Sequence, residues 1–163
     1  MAFYMKIKGI VGDVSASNYE DWIELSSLRL GVGCEVNTVV GRAKNRHAYT
    51  PKFTNLTLEK SVDSATLLLF QAACEGDNKK TVLIHACRDA NAPQAYLEYE
   101  LENCVVCGYT NSGITGYDDQ NSTKEILNLN FTKISLKFIG RDKQNQDAKA
   151  LCAGYDLECA KAI

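Results

Sequence analysis

Two segments of the chain alternate apolar and polar residues over unusual lengths. The first is Tyr96-Leu97-Glu98-Tyr99-Glu100-Leu101-Glu102-Asn103, and the second runs from Leu127 to Phe138. Period-two alternation puts successive side chains on opposite faces of a sheet, so both read as long, half-buried strands. Cys104 to Thr110 continues the first strand after a kink, and the second spans Lys124 to Ile139. In the second, Leu127, Leu129 and Phe131 hold odd positions, whereas Ile134, Leu136 and Phe138 hold even ones. The buried face changes parity near Thr132-Lys133, which predicts a bulge or barrel corner there.

Shorter stretches follow the same logic. Phe3 to Gly9 reads as a strand with Phe3, Met5 and Ile7 on one face. Trp22 to Leu25, Ser27 to Cys34, Phe53 to Lys60, Thr81 to Cys87 and Gly154 to Leu157 also read as strands, the last followed by a tail. Ser27 and Arg29 point opposite to Leu28 and Leu30. Gly31-Val32-Gly33 suggests a bulge, a bend or close backbone approach. Glu35 to Lys52 has no sustained period and reads as a long loop, a length usually tied to function or mobility. Asn111 to Ser122 and Arg141 to Lys149 read as loops, and Asp77 to Lys80 and Asp89 to Pro93 as turns. One helix is predicted from about Ala65 to Glu75, capped by Asp63 or Ser64 and ended by Gly76. Leu67, Phe70, Ala73 and Cys74 form the stripe expected to pack on a sheet. About eight or nine strands without βαβ alternation predict a mainly β fold. The expected architecture is an antiparallel β-barrel or two-sheet sandwich with one flanking α-helix.

Composition narrows the reading. The chain has 163 residues, which suits a single domain over 1–163. A net charge of −2 argues against nucleic-acid binding. No apolar run approaches a membrane span. The segment Met1 to Ile10 lacks the continuous apolar stretch of a signal peptide, so synthesis in the cytosol is expected. Seven cysteines, an odd number without a signal peptide, argue against a disulfide framework.

No constellation points to catalysis. Cys104-Val105-Val106-Cys107 matches CxxC, but on a strand positions three apart face opposite sides, so the sulfurs do not converge. His85 and Cys87 share a strand face, yet no orienting acid accompanies them, and they read as packed residues. Glu98, Glu100 and Glu102 share one face and read as solvated, opposite Lys133 or Lys137. Arg42, Lys44, Arg46 and His47 read as a solvated or subunit-contacting loop. No catalytic residue, metal site or cofactor is expected.

The wording of the chain resembles the Hcp (hemolysin-coregulated protein) family of bacterial type VI secretion systems. The likeness runs through Met1 to Ile10, Gly12-Asp13-Val14, Trp22-Ile23-Glu24-Leu25, Gly31-Val32-Gly33 and Leu69-Phe70-Gln71-Ala72. It continues in Tyr96 to Asn103, Gly108-Tyr109, Leu127 to Ile134 and Gly154-Tyr155-Asp156-Leu157. The resemblance implies a β-barrel whose copies form hexameric rings stacked into the tube driven by a contractile sheath behind a spike protein. It implies a lumen that carries and stabilises effector proteins, and secretion without a signal peptide or membrane insertion. It places Gly31, Gly33, Arg42, Arg46 and Pro51 at subunit contacts, and Ser27 and Arg29 on the lumen wall. The chain departs from the family at Arg29, where a small hydroxyl residue is usual, and at Leu67-Leu68, where Pro-Lys is usual. No fused toxin domain is expected. The alternative is a monomeric β-barrel binding a small ligand through Tyr96, Tyr99 and Tyr109.

Overall fold

The computed structural model describes residues 1–38, 46–48, 50–76, 79–89, 93–114, 122–140 and 149–163. In chain order the elements are β1 (Ala2–Ile7), β2 (Ile23–Leu25), β3 (Ser27–Arg29), β4 (Val32–Gly33), β5 (Val36–Thr38), β6 (Arg46–Ala48) and β7 (Lys52–Phe53). They continue with β8 (Leu56–Ser61), α1 (Thr66–Glu75), β9 (Lys80–Cys87), β10 (Ala95–Ile114), β11 (Ser122–Asn130), β12 (Lys133–Phe138), β13 (Leu151–Asp156) and β14 (Lys161–Ala162). The pairings between these strands are antiparallel.

Two sheets face each other. One runs β2–β1–β9–β10–β12–β13–β14, and the other β3–β8–β11–β10. β10 belongs to both. Its first half lies between β9 and β12, and its second half pairs with β11. The passage falls at Asn103, where φ is 51° and the register with β9 shifts between Leu101 and Cys104. This is the predicted kink. A positive φ is a conformation Asn tolerates better than most residues, and a bulge bends the strand. At the other corner only Ser26 separates β2 from β3. β2 pairs with β1, while β3 pairs with β8. The hydrogen-bonded path β3–β8–β11–β10–β9–β1–β2 thus returns to its own chain neighbour. The architecture is the mainly β, antiparallel sandwich with one helix that the alternation predicts.

The parity change in the second long segment is also a corner. β11 ends at Asn130 and β12 begins at Lys133, so Phe131 and Thr132 carry the chain from one sheet to the other. Phe138 at the end of β12 is exposed, whereas Leu127, Leu129, Phe131 and Ile134 are buried and Leu136 packs against them. They meet Met5, Ile7, Leu56, Leu58, Val82 and Ile84 from the facing strands in one core. Each such side chain contributes about 1.5–3 kcal/mol on leaving water.

Four expectations are corrected. Glu35 to Lys52 contains strand structure: β5 pairs with β6, and β4 pairs with β7. These strands are two or three residues long, too short to establish a period. The predicted loop from Asn111 is still strand up to Ile114, and β11 already starts at Ser122. The tail after Leu157 turns through Ala160 (φ 50°) and returns as β14 against β13. The helix presents a different face from the predicted one. Ala65, Leu69 and Ala72 are buried, whereas Leu67 and Phe70 are exposed. The run Leu67-Leu68-Leu69-Phe70 supports two helical stripes, and the small Ala65 and Ala72 let the one through Leu69 lie close on the sheet, where α1 packs on β10.

The C-terminal end of the helix is made as expected, whereas the N-cap position falls on Ala65 and neither Asp63 nor Ser64 caps the helix. Asp63 Oδ1 accepts from the Ala65 amide at 2.9 Å, while the Asp63 amide donates to Thr66 Oγ1 at 3.1 Å. Ser64 instead donates from its hydroxyl to the Val11 carbonyl. Gly76 closes the helix at φ 67°. The turns at Asp77-Asn78 and 90–92, and the loop segment 141–148, lie outside the described residues.

Candidate functional site

The described residues between Gly31 and Thr54 form an arm of two two-stranded sheets, β4 with β7 and β5 with β6, apart from the sandwich. Its base is tightly made. The Gly31 amide donates to Thr54 Oγ1 at 3.0 Å, and the Thr54 amide donates to the Gly31 carbonyl at 2.9 Å. A Cβ on Gly31 would stand 3.0 Å from Thr54 Oγ1, so the glycine permits this approach. Gly33 differs: among the described residues a Cβ there meets nothing within 4 Å, so their packing gives no reason for glycine at that position. Phe53 pins the arm to the core, with its ring 6.0 Å from Phe131 and 5.6 Å from Tyr155. Pro51 enters β7 half-buried, a position where a missing N–H is tolerated. The ion pair Lys52–Glu35 at 2.9 Å is exposed on both sides and contributes little. Arg46 opens β6 opposite Thr38. Arg42, Lys44 and Tyr49 lie outside the described residues.

The second predicted group is brought together on one surface. Ser27 pairs with Glu59 and Arg29 with Thr57, while Leu28 turns to the core opposite Leu58. Alternation then puts Ser27 and Arg29 on the outer face of the β3–β8–β11–β10 sheet. Thr57 shares that face and donates to Asn128 Oδ1 at 2.9 Å, and nearby Asn130 donates to Asn55 Oδ1 at 3.0 Å. This surface mixes the hydroxyls and amides of Ser27, Thr57 and Asn128 with Arg29, Glu59 and Ile126.

The outer face of the other sheet is charged instead. Lys137 donates to Glu98 at 3.0 Å and Lys133 to Glu102 at 2.7 Å, as their register predicts. The Glu102 carboxylate raises the Lys133 pKa, holding the ammonium charged. Glu100 lies between the pairs, opposite Ser135, and is exposed.

The cysteine and histidine candidates do not assemble reactive chemistry. Cys104 is buried and Cys107 exposed, on opposite faces as the strand spacing predicts. Burial pushes the Cys104 thiol up to about 12. Cys87 is sealed in a small second core with Tyr4, Tyr19 and Trp22, and burial raises its pKa, the reverse of thiol activation. His85 packs 4.8 Å from the Trp22 ring, and its Nδ1 is hydrogen-bonded with the Tyr19 hydroxyl at 3.0 Å. Its burial lowers its pKa, so it is held neutral. Among the described residues no three potential ligands come together as a metal site, and no helix is long and apolar enough to cross a membrane.

One cluster lies outside the predicted site. Lys60 and Glu125, directly paired across β8 and β11, are fully buried, with Nζ 2.5 Å from Oε2. Lys60 also meets Asp63 at 2.8 Å and the Ser61 carbonyl at 2.7 Å. Tyr109 and Thr66 donate to the two Glu125 oxygens, at 2.5 and 3.2 Å. Burial alone would raise the Glu125 pKa, but the Lys60 ammonium and these donors more than offset it and hold the carboxylate below its ordinary value. The signal was present in the sequence: Lys60 shares parity with Leu56 and Leu58, and Glu125 with Leu127 and Leu129.

Comparison with known proteins follows this geometry. The family model for the type VI secretion system effector Hcp matches residues 4–138. A solved structure of a type six secretion system protein is 21% identical, with 99% of each chain covered and a TM-score of 0.89. Hcp1 from Salmonella typhimurium is 24% identical, covering 99% of this chain and 98% of that one, with a TM-score of 0.78. A type VI secretion system effector from Yersinia pestis is 17% identical, covering 94% and 98%, with a TM-score of 0.71. At these identities the structural likenesses speak for the fold. No curated protein matches the chain.

Proposed function

The chain belongs to the Hcp family of type VI secretion, and we propose that it is a ring-forming subunit of that system's inner tube. In this reading the chain acts as one structural domain over 1–163. Its copies close into hexamers, and the hexamers stack into a tube within the contractile sheath and behind the spike protein. The lumen holds effector proteins and stabilises them until they leave the cell with the tube. Gly31, Gly33, Arg42, Arg46 and Pro51 contact the neighbouring copy through the arm, and Ser27 and Arg29 face the lumen. In this reading the chain needs no cofactor, carries out no catalysis, and leaves the cell by the type VI route.

The observation that carries this reading is the family match over residues 4–138. Two features support it. The arm is anchored firmly at its base yet carries, at Gly33, a glycine that no contact among the described residues requires. The face that Ser27 and Arg29 share continues across β8 and β11 as a mixed polar surface with Glu59, Thr57 and Asn128, as a surface that touches varied cargo would be. Native mass spectrometry in reducing buffer at near-physiological salt tests the ring. A dominant hexamer of the 18.0 kDa chain is expected. A clean monomer across the accessible concentration range would overturn the ring reading.

A further inference from the structure

Two apolar stripes compete on α1, and the larger one faces out. Leu67 is 78% exposed and Phe70 53%, and Cys74 is exposed with them. The core side offers Ala65, Leu69 and Ala72, one large side chain between two small ones. At 3.6 residues per turn, the stripe through Leu69 and the stripe through Leu67, Phe70 and Cys74 lie about 140° apart around the helix axis. Apolar area alone favours burying the stripe with two large side chains. Something other than apolar area therefore sets the rotation of this helix.

The buried polar cluster beneath the helix supplies it. Thr66, in the first turn of α1, donates to Glu125 Oε2 at 3.2 Å and accepts from the Asp63 amide at 3.1 Å. Asp63 in turn accepts from the Ala65 amide at 2.9 Å and pairs with Lys60 at 2.8 Å. Lys60 and Glu125 are directly opposed across β8 and β11, so the sheet register, not the helix, sets where they stand. Tyr109 on β10 adds a second hold. Its hydroxyl donates to Glu125, and its ring meets the Phe70 ring edge-on at 5.7 Å. Turning the helix by about 140° would carry Thr66 away from Glu125 and Phe70 away from Tyr109. A carboxylate buried in the protein would then lose a donor, a loss that water does not repair there.

We propose that the Lys60–Glu125–Asp63 cluster is a rotational key for α1, selecting the packing that displays Leu67 and Phe70 over the packing that buries them. A buried ion pair often adds little net stability, yet it can decide between two packings of one apolar sequence, because only one of them satisfies its partners. The key works within a single copy and stands whether or not copies form rings. The residues that α1 offers to its surroundings are thus chosen by side chains that do not reach the surface.

The test combines Lys60→Met, Asp63→Asn and Glu125→Leu in the full chain, which removes the three charges and roughly keeps their volume. Two thiol reporters read the rotation by alkylation of the folded chain at one protein concentration, followed by peptide mass mapping. Cys74 reports the outward side. Ala72→Cys, placed in a Cys74→Ser background, reports the core side, where Ala72 is 6% exposed. With the parental cluster Cys74 reacts and the Ala72→Cys thiol is protected. Without the charges the pattern should invert. Labelling of Ala72→Cys rises at least about 10-fold and that of Cys74 falls at least about twofold, as when a state populated at a few per cent becomes comparable with its alternative. Circular dichroism keeps the parental helix content. Thr66→Val leaves the Lys60–Glu125 pair in place and carries the same test, with the same inversion expected, if the triple variant does not fold. A parental labelling pattern in the folded triple variant, or in Thr66→Val where it stands alone, overturns the key. Labelling that rises at both reporters overturns it too, because the cluster would then hold the helix down without choosing its face.

Discussion

Replacing Lys60 with Met should unsettle this fold more than its single charge suggests. Both members of the Lys60–Glu125 pair are fully buried, and the ammonium also bonds Asp63 and the Ser61 carbonyl. Met fills nearly the same volume, so the cavity contribution is small. What remains is a buried carboxylate without its counter-charge. Breaking such a pair from one side costs about 3–5 kcal/mol. Tyr109 and Thr66 still donate to Glu125, so the lower end, about 3 kcal/mol, is the expected loss. For a chain of this size that lowers Tm by about 6–12 °C. Lys60→Met with Glu125→Gln should cost less than the two single changes together by about 1–3 kcal/mol, because the amide tolerates a neutral neighbour.

The pH dependence gives an independent sign. In the parent the Glu125 pKa is held below its unfolded value. Its contribution is therefore complete above about pH 4.3 and disappears as pH falls through the lower, folded pKa. In Lys60→Met burial dominates and places the folded pKa above the unfolded one. The penalty is then present at neutral pH and is relieved on acidification, so lowering pH from about 7 toward 5 should stabilise the variant relative to the parent. Urea unfolding followed by fluorescence of Trp22, the single tryptophan, reads both effects at one fixed protein concentration. A loss under about 1 kcal/mol with a parental acid slope, or a double variant as damaged as the sum of the singles, would refute the reasoning.

Two shorter predictions address the arm and the thiols. Gly31→Val should destabilise the arm base, where Thr54 leaves no room, and increase protease cleavage between Gly31 and Thr54, whereas Gly33→Val should leave the single copy's unfolding midpoint within about 0.5 kcal/mol while reducing assembly measured by native mass spectrometry. At pH 8 an alkylating reagent should modify Cys34, Cys74, Cys107, Cys152 and Cys159 in the folded chain, and Cys87 and Cys104 only after unfolding; early labelling of Cys104 by peptide mass mapping would contradict its burial and its pKa of about 12.

The readable parts of the fold share a physical cause. Where a strand buries one face over six or more residues, alternation fixes both its identity and its register, as in β10 and β12. Even the corner at Phe131-Thr132 was visible, because a chain changing sheets must change which parity it buries. The misread parts lack that constraint. The strands of the arm are too short to alternate, and β14 has only two residues. The helix defeated its own periodicity, because four consecutive apolar residues satisfy more than one stripe. Lys60 and Glu125 share the parity of their buried neighbours, so alternation alone places both inside. Two opposite charges at inward positions of neighbouring strands compensate each other, which neither segment reveals alone.

The candidate site was legible to a different degree, for a related reason. The segments that carry the family resemblance sit largely where the chain is sterically pinned. Gly12 lies against the Trp22 backbone, and its amide bonds the Asp21 carbonyl. Asp13 accepts from the Ser64 amide and so ties the first loop to the helix start. Such positions report the fold, because few residues can replace them without displacing a neighbour. Surfaces that would touch another copy or a cargo consist of outward residues with space around them, such as Arg29, Leu67 and Leu151. Alternation predicts that Arg29 points outward, but its role depends on what faces it. Arg29, Leu67 and Leu68 fall on these outward surfaces, so a change of residue there alters the chemistry offered to whatever faces it while leaving the pinned framework intact.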